Sequence, residues 1–99
     1  METKVKTIDI QAKEWFDKVN GNSYFAGVVT VNYGMEDAKE FIMPFQYGYG
    51  SQYEQEAFKL VREANLINTT YRSEIRELGV IVRSSIVRNC KQRELKEYK

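Results

Sequence analysis

The chain has 99 residues, a net charge of +1, 42% hydrophobic and 29% charged residues, which is the composition of one folded domain with a single core rather than of a disordered segment. The absence of histidine removes Ser-His and Cys-His nucleophile pairs, a histidine base and any His-containing zinc site, and one cysteine, Cys90, removes both an internal disulfide and a Cys₄ site. An enzyme would have to rely on carboxylates, tyrosines, lysines or a magnesium ion, and no recognisable carboxylate pair is present; no catalytic residue, metal or cofactor is expected, and a binding module is favoured, with a metal-dependent enzyme ranked last.

No apolar run is long enough to span a bilayer and no signal-peptide pattern is present, so the expected location is the cytoplasm. Without a secretion signal the formal glycosylation triplet Asn68-Thr69-Thr70 carries no weight. Charge is uneven: residues 1–82 hold nine Lys/Arg against twelve Asp/Glu, whereas residues 83–99 hold six against two. A basic end on an acidic body suits a phosphate backbone or an acidic partner, or is simply a solvated terminal helix.

In chain order, residues 5–10 (Val5, Lys6, Thr7, Ile8, Asp9, Ile10) alternate roughly as a short strand. Ala12, Trp15, Phe16 and Val19 then lie at i, i+3, i+4 and i+7, which predicts a short helix stopped by Asn20-Gly21, with Trp15 and Phe16 as core anchors. Residues 24–33, with the β-branched centre Val28-Val29-Thr30-Val31, predict a central strand. A polar connection over 34–39 leads to a returning strand over 40–47, with Phe41, Met43, Phe45 and Tyr47 on one face. Pro44 removes a ladder donor there and predicts an edge or a bulge.

After Ser51 the positions Tyr53, Ala57, Leu60, Val61, Ala64 and Ile67 form one helical stripe, with Phe58 off it and Asn65 or Asn68 as the stop. Thr70 can cap a second short helix carrying Tyr71, Ile75 and Leu78 on one face and closed by Gly79. Residues 80–90 predict a last strand with a buried start at Val80, Ile81 and Val82 and a bulge at Ser84-Ser85, and residues 91–99 a polar terminal helix or frayed tail with Leu95 and Tyr98 as its apolar side chains. The predicted fold is a single α+β domain: a mostly antiparallel sheet with helices on one face, in the order β-α-β-β-α-(α)-β; this order matches a split β-α-β plan, although the first helix is short for a crossover, and a different strand order is left open.

Function is sought first in Phe45-Gln46-Tyr47-Gly48-Tyr49-Gly50-Ser51-Gln52-Tyr53-Glu54. A glycine-rich turn entering a helix exposes backbone donors at the positive end of the helix dipole. Ser51 and Glu54 match the capping-box spacing. The candidate ligand site is accordingly Tyr47, Gly48, Tyr49, Gly50, Ser51 and Tyr53, binding a nucleotide-like or other anionic ligand with help from an arginine. The turn lacks both the Lys-Ser/Thr ending of a P-loop and the third glycine of a dinucleotide fingerprint. A second reading uses exposed tyrosines, Tyr33, Tyr47, Tyr49 and Tyr53, as hot spots for a protein partner. A third places nucleic acid on Arg83, Arg88, Lys91 and Arg93, extended by Arg72 and Arg76. The strand over 40–47 lacks the basic-Gly-aromatic signature of an RNA-recognition sheet. The strand over 80–90 is the better candidate for pairing with a second copy, so a homo-oligomer is expected.

The segments Glu14-Trp15-Phe16-Asp17-Lys18-Val19-Asn20-Gly21-Asn22-Ser23-Tyr24-Phe25 and Pro44-Phe45-Gln46-Tyr47-Gly48-Tyr49-Gly50 resemble a pattern in small, largely uncharacterised accessory proteins of tailed bacteriophages and prophages. That resemblance implies a protein acting in a bacterial cytoplasm against a host defence, by occluding a host protein or sequestering a nucleotide signal.

Overall fold

A computed structural model describes residues 5–98. The elements are β1 (Thr7–Asp17), β2 (Asn22–Val31), β3 (Lys39–Tyr47), α1 (Gln52–Glu63), α2 (Arg72–Glu77), β4 (Ile81–Val87) and α3 (Gln92–Leu95). The α+β class stands, with four strands in the order β3-β2-β1-β4. β1–β2 and β2–β3 are antiparallel, and β4 lies parallel to β1. β3 and β4 thus run the same way, and a parallel return needs a crossover, which α1 and α2 supply.

The helix expected over residues 12–19 is strand. β1 continues without a break to Asp17, paired residue by residue with β2. The helical spacing is a coincidence of two apolar strand faces: Ala12 is buried toward the core, Trp15 points to the opposite side, and Val19 is exposed in the turn. Asn20-Gly21 closes a hairpin instead of ending a helix, with Gly21 at φ +71° and its N–H donating to the Asp17 carbonyl at 2.7 Å. The split β-α-β plan fails with that helix.

The core lies on one face of the sheet. Ile8, Ile10, Phe25, Val29, Val31 and Met43 pack there against Ala57, Phe58 and Val61 of α1 and Ile75 of α2. Phe58 is fully buried while Leu60 and Ala64 are only half-buried, so the helix is turned toward its largest apolar side chain rather than centred on the expected stripe. α1 ends where Asn65 takes φ +62°, with the Asn65 N–H donating to the Arg62 carbonyl and the Leu66 N–H to that of Val61. These are the two bonds of a Schellman motif. The Ser51 side chain makes no cap bond. Glu54, its expected reciprocal partner, instead accepts from Arg72 at 3.0 Å and from the Ser84 hydroxyl at 2.7 Å. Nor does Thr70 cap α2: the Tyr71 N–H donates to Thr69 Oγ1, whose hydroxyl in turn donates to Glu74. Of the face expected on α2, Ile75 is buried while Tyr71 and Leu78 are exposed.

Three further expectations change. β4 holds a continuous register with β1, so no bulge occurs at Ser84-Ser85, and Ile81 is exposed. The irregularity is in β3, where Pro44 predicted an edge or a bulge and the strand has both. Phe25 to Gly27 on β2 face Gln46 to Met43 on β3, one residue more on the β3 side. The extra residue reverses the alternation: Met43 is buried in the core, whereas Phe45 and Tyr47 are on the other face. Finally, the helices are not all on one side. Lys13 alternates away from Ala12, and its Nζ lies 5.9 Å from the Tyr98 ring centre, which places α3 and the residues after it on the face opposite α1. There Leu95 and Ala26 are fully buried, although neither belongs to the main core. Leu95 and Tyr98 thus tie the end of the chain to the sheet, and Lys99 lies outside the described residues.

Candidate binding surface

On the α3 face, register brings Trp15 of β1 opposite Tyr24 of β2, and Tyr24 opposite Tyr47 of β3. The β3 bulge adds Phe45 to the same side. Their rings form a ladder: Trp15 and Tyr24 stack at 5.4 Å, Tyr24 and Phe45 at 5.0 Å with an interplanar angle of 10°. Tyr47 meets Tyr24 edge-on at 5.7 Å and Tyr49 edge-on at 5.1 Å. Offset-stacked and edge-to-face pairs each contribute about 0.5–1.5 kcal/mol beyond area burial, so the ladder is held in place before any partner arrives.

The ladder remains open because the sheet is longer than what covers it. Eleven residues of β1 span about 36 Å, whereas α3, the helix on the ladder's own side, has four residues. Trp15, Tyr24 and Phe45 are half-buried, and Tyr47 and Tyr49 are 51% and 49% exposed. The Tyr47 hydroxyl donates to that of Tyr49 at 2.5 Å, and this bond holds the Tyr47 pKa above the ordinary tyrosine value.

The six residues expected to form a ligand site do not converge. Tyr47 and Tyr49 belong to the ladder, whereas Tyr53 is buried in the core on the other side. Gly48 is buried, a Cβ there would lie 2.4 Å from the Phe25 ring, and its N–H donates to the Ser23 carbonyl at 3.1 Å. The Tyr49 N–H is taken by Gln52 Oε1 at 2.9 Å, while Gly50 and Ser51 are exposed, with Gly50 at φ +55°. Two of the turn's donors are thus engaged within the chain, which breaks up the row of N–H groups that an anion cradle uses.

Beside this turn, on the α1 face, a shallow cleft of 230 Å³ is lined by amides of Gln46, Gln52 and Gln55, with Glu56 and the cations Lys59 and Arg62. Of the residues considered for nucleic acid, three arginines are engaged in ion pairs within the chain. Arg83 is bound to Asp9 at 2.6 Å, Arg88 to Glu14 at 2.7 Å and Arg72 to Glu54 at 3.0 Å, while Lys91 and Arg93 are exposed at α3. Cys90 is half-buried, its thiol on the Val87 carbonyl. Among the described residues, no three His, Cys, Asp or Glu side chains gather to hold a metal ion, and no helix is long and apolar enough to cross a membrane.

Sequence reasoning missed Trp15, Tyr24 and Phe45 as surface residues. Reading 12–17 as strand would have placed Trp15 on the ladder side; Phe45 needed the bulge. Comparisons with protein-family models, curated proteins and solved structures found no match.

Proposed function

We propose that this chain is a non-enzymatic binding module that captures a protein partner on the aromatic ladder of its α3 face. The observation that carries this reading is the ladder itself: five rings, four of them from three strands, in one contiguous array, with two tyrosines about half exposed at its margin. Tyrosine and tryptophan dominate protein-interface hot spots because they supply large, rigid contact area with a polar tip. The phage-type accessory role suggested by sequence resemblance supplies a setting, a host bacterial protein occluded by stoichiometric association.

The test is affinity capture from bacterial extract with the wild-type chain and with Tyr47→Ala and Tyr49→Ala, followed by titration of the captured protein. Loss of about 2 kcal/mol or more of binding at either position, with an unchanged thermal melt, is the expected result. Equal capture by all three proteins would remove the ladder from the interface.

A second reading, an anionic ligand, draws on the cleft carrying Lys59 and Arg62 rather than on the Gly48–Ser51 turn. A nucleotide that raises the melting temperature of the wild-type chain but not of Lys59→Ala would favour it.

A further inference from the structure

The two edges of the sheet are treated differently. β3 is interrupted by Pro44 and a bulge, devices that discourage pairing with another strand. β4, at the other edge, is seven residues of regular strand, Ile-Val-Arg-Ser-Ser-Ile-Val, with no proline or glycine and one charge. That charge, Arg83, is paired to Asp9 of its own chain at 2.6 Å.

Backbone direction in β4 follows from one bond. The Ile81 N–H donates to the Lys6 carbonyl at 3.0 Å, so Ile81 addresses β1. Alternation then turns Arg83, Ser85 and Val87 toward β1 and leaves the N–H and C=O groups of Val82, Ser84 and Ile86 directed at the open edge. The strand is also nearly symmetric in residue class about Ser84. An antiparallel copy with its two-fold axis at Ser84 sets Val82 opposite Ile86, Ile81 opposite Val87, and Arg83 opposite Ser85. Every opposed pair whose backbone faces the edge then exchanges two hydrogen bonds, and β-branched side chains meet across both faces. Ile81 and Val87, each 59% exposed in the single chain, cover one another. Moving the axis to Ser85 would set Arg83 against Val87 and Ile86 against Ser84, which destroys the match.

We propose that β4 is a homodimer interface, pairing antiparallel with β4 of a second copy about a two-fold axis at Ser84. An isologous interface must be self-complementary, and this strand is, both in its hydrogen-bonding parity and in its side chains; a foreign strand would have no reason to match that symmetry. The contact joins two four-stranded sheets into one continuous sheet. Because the axis is perpendicular to the sheet, it keeps both aromatic ladders on the same face.

The test combines sedimentation equilibrium with amide exchange by NMR on the wild-type chain across a concentration series. The expected result is a species of twice the monomer mass in which the Val82, Ser84 and Ile86 amides gain protection with concentration, while those of Ile81, Arg83 and Ser85 are protected throughout. Ser85 is exposed, so its variants leave the monomer fold intact, as a circular dichroism melt would verify. Ser85→Lys, opposite the partner's Arg83, should raise the dimer dissociation constant about tenfold, and Ser85→Glu should lower it, because like charges directly opposed destabilise a pair and opposite ones stabilise it. A chain that stays monomeric at every concentration overturns the proposal. So does a dimer in which the three edge amides gain no protection, or one that responds to neither Ser85 variant.

Discussion

At single residues, the sharpest constraints come from side chains that are absent. A Cβ on Gly27 would lie 2.2 Å from the Gln11 carbonyl oxygen and 2.8 Å from the Ala12 Cα, both backbone atoms of the adjacent strand. A Cβ on Gly48 would instead meet the Phe25 ring, at 2.4 Å, and a ring can tilt. Gly48→Ala is therefore expected to destabilise by about 1–3 kcal/mol, the usual range for overpacking, and Gly27→Ala by more. Urea melts of the two variants measure both, and the reverse ranking would mean that the β1–β2 spacing is softer than its geometry implies. In the core, Phe58→Ala should cost about 3–5 kcal/mol and the half-buried Leu60→Ala clearly less, since the loss scales with apolar area and with the cavity left behind.

At the level of elements, the ends of the helices and the hairpin turn use partners that spacing alone did not indicate. Because the Ser51 hydroxyl caps nothing, Ser51→Ala should change stability by no more than about 0.5 kcal/mol, the range of ordinary surface substitutions. A measured loss of ~1 kcal/mol would restore the cap. In the β1–β2 turn, Asp17 accepts from the Asn20 side chain at 2.7 Å and from the Val19 and Asn20 N–H groups. Led by the Asn20 side-chain bond, these interactions lower the Asp17 pKa, against a smaller opposing effect of desolvation. A carboxylate with a depressed folded pKa adds stability that is fully present above its unfolded pKa of about 3.9 and disappears as pH falls through the folded value. The stability difference between wild type and Asp17→Ala should consequently be constant near neutral pH and shrink below about pH 4. Chemical denaturation at a series of pH values checks this; a difference that stays flat into strong acid would show that the turn does not depend on the ionised carboxylate.

For the whole molecule, the decisive feature is that both faces of the sheet are occupied, unequally. Among the described residues, α1 and α2 cover one, and the other receives α3, Tyr98 and the aromatic ladder. Docking of α3 rests on Leu95, which is fully buried although its helix has only four residues. Such a helix has almost no stability of its own, so its order comes from that contact. Leu95→Ala should cost about 2–5 kcal/mol, with hydrogen exchange near residues 92–95 accelerating. A loss under ~0.5 kcal/mol would mean that α3 frays without consequence.

Local chemistry was enough for the class of the fold, the position of α1, a stop at Asn65 or Asn68, and an edge or a bulge in the strand holding Pro44. Each rests on a residue that acts within its own neighbourhood: a 3.6-residue stripe, an asparagine that tolerates positive φ, an imino acid without a donor. The helix expected over 12–19 fails because eight residues with apolar side chains on two faces satisfy a helical and a strand period alike, and Asn-Gly ends a helix as readily as it turns a hairpin. Pairing with β2 decides between them. The candidate site was legible only in part. Tyr47 and Tyr49 stood out by composition, but Trp15, Tyr24 and Phe45 join them only through cross-strand register and a one-residue bulge. Those are properties of strands aligned side by side, and no single segment carries them.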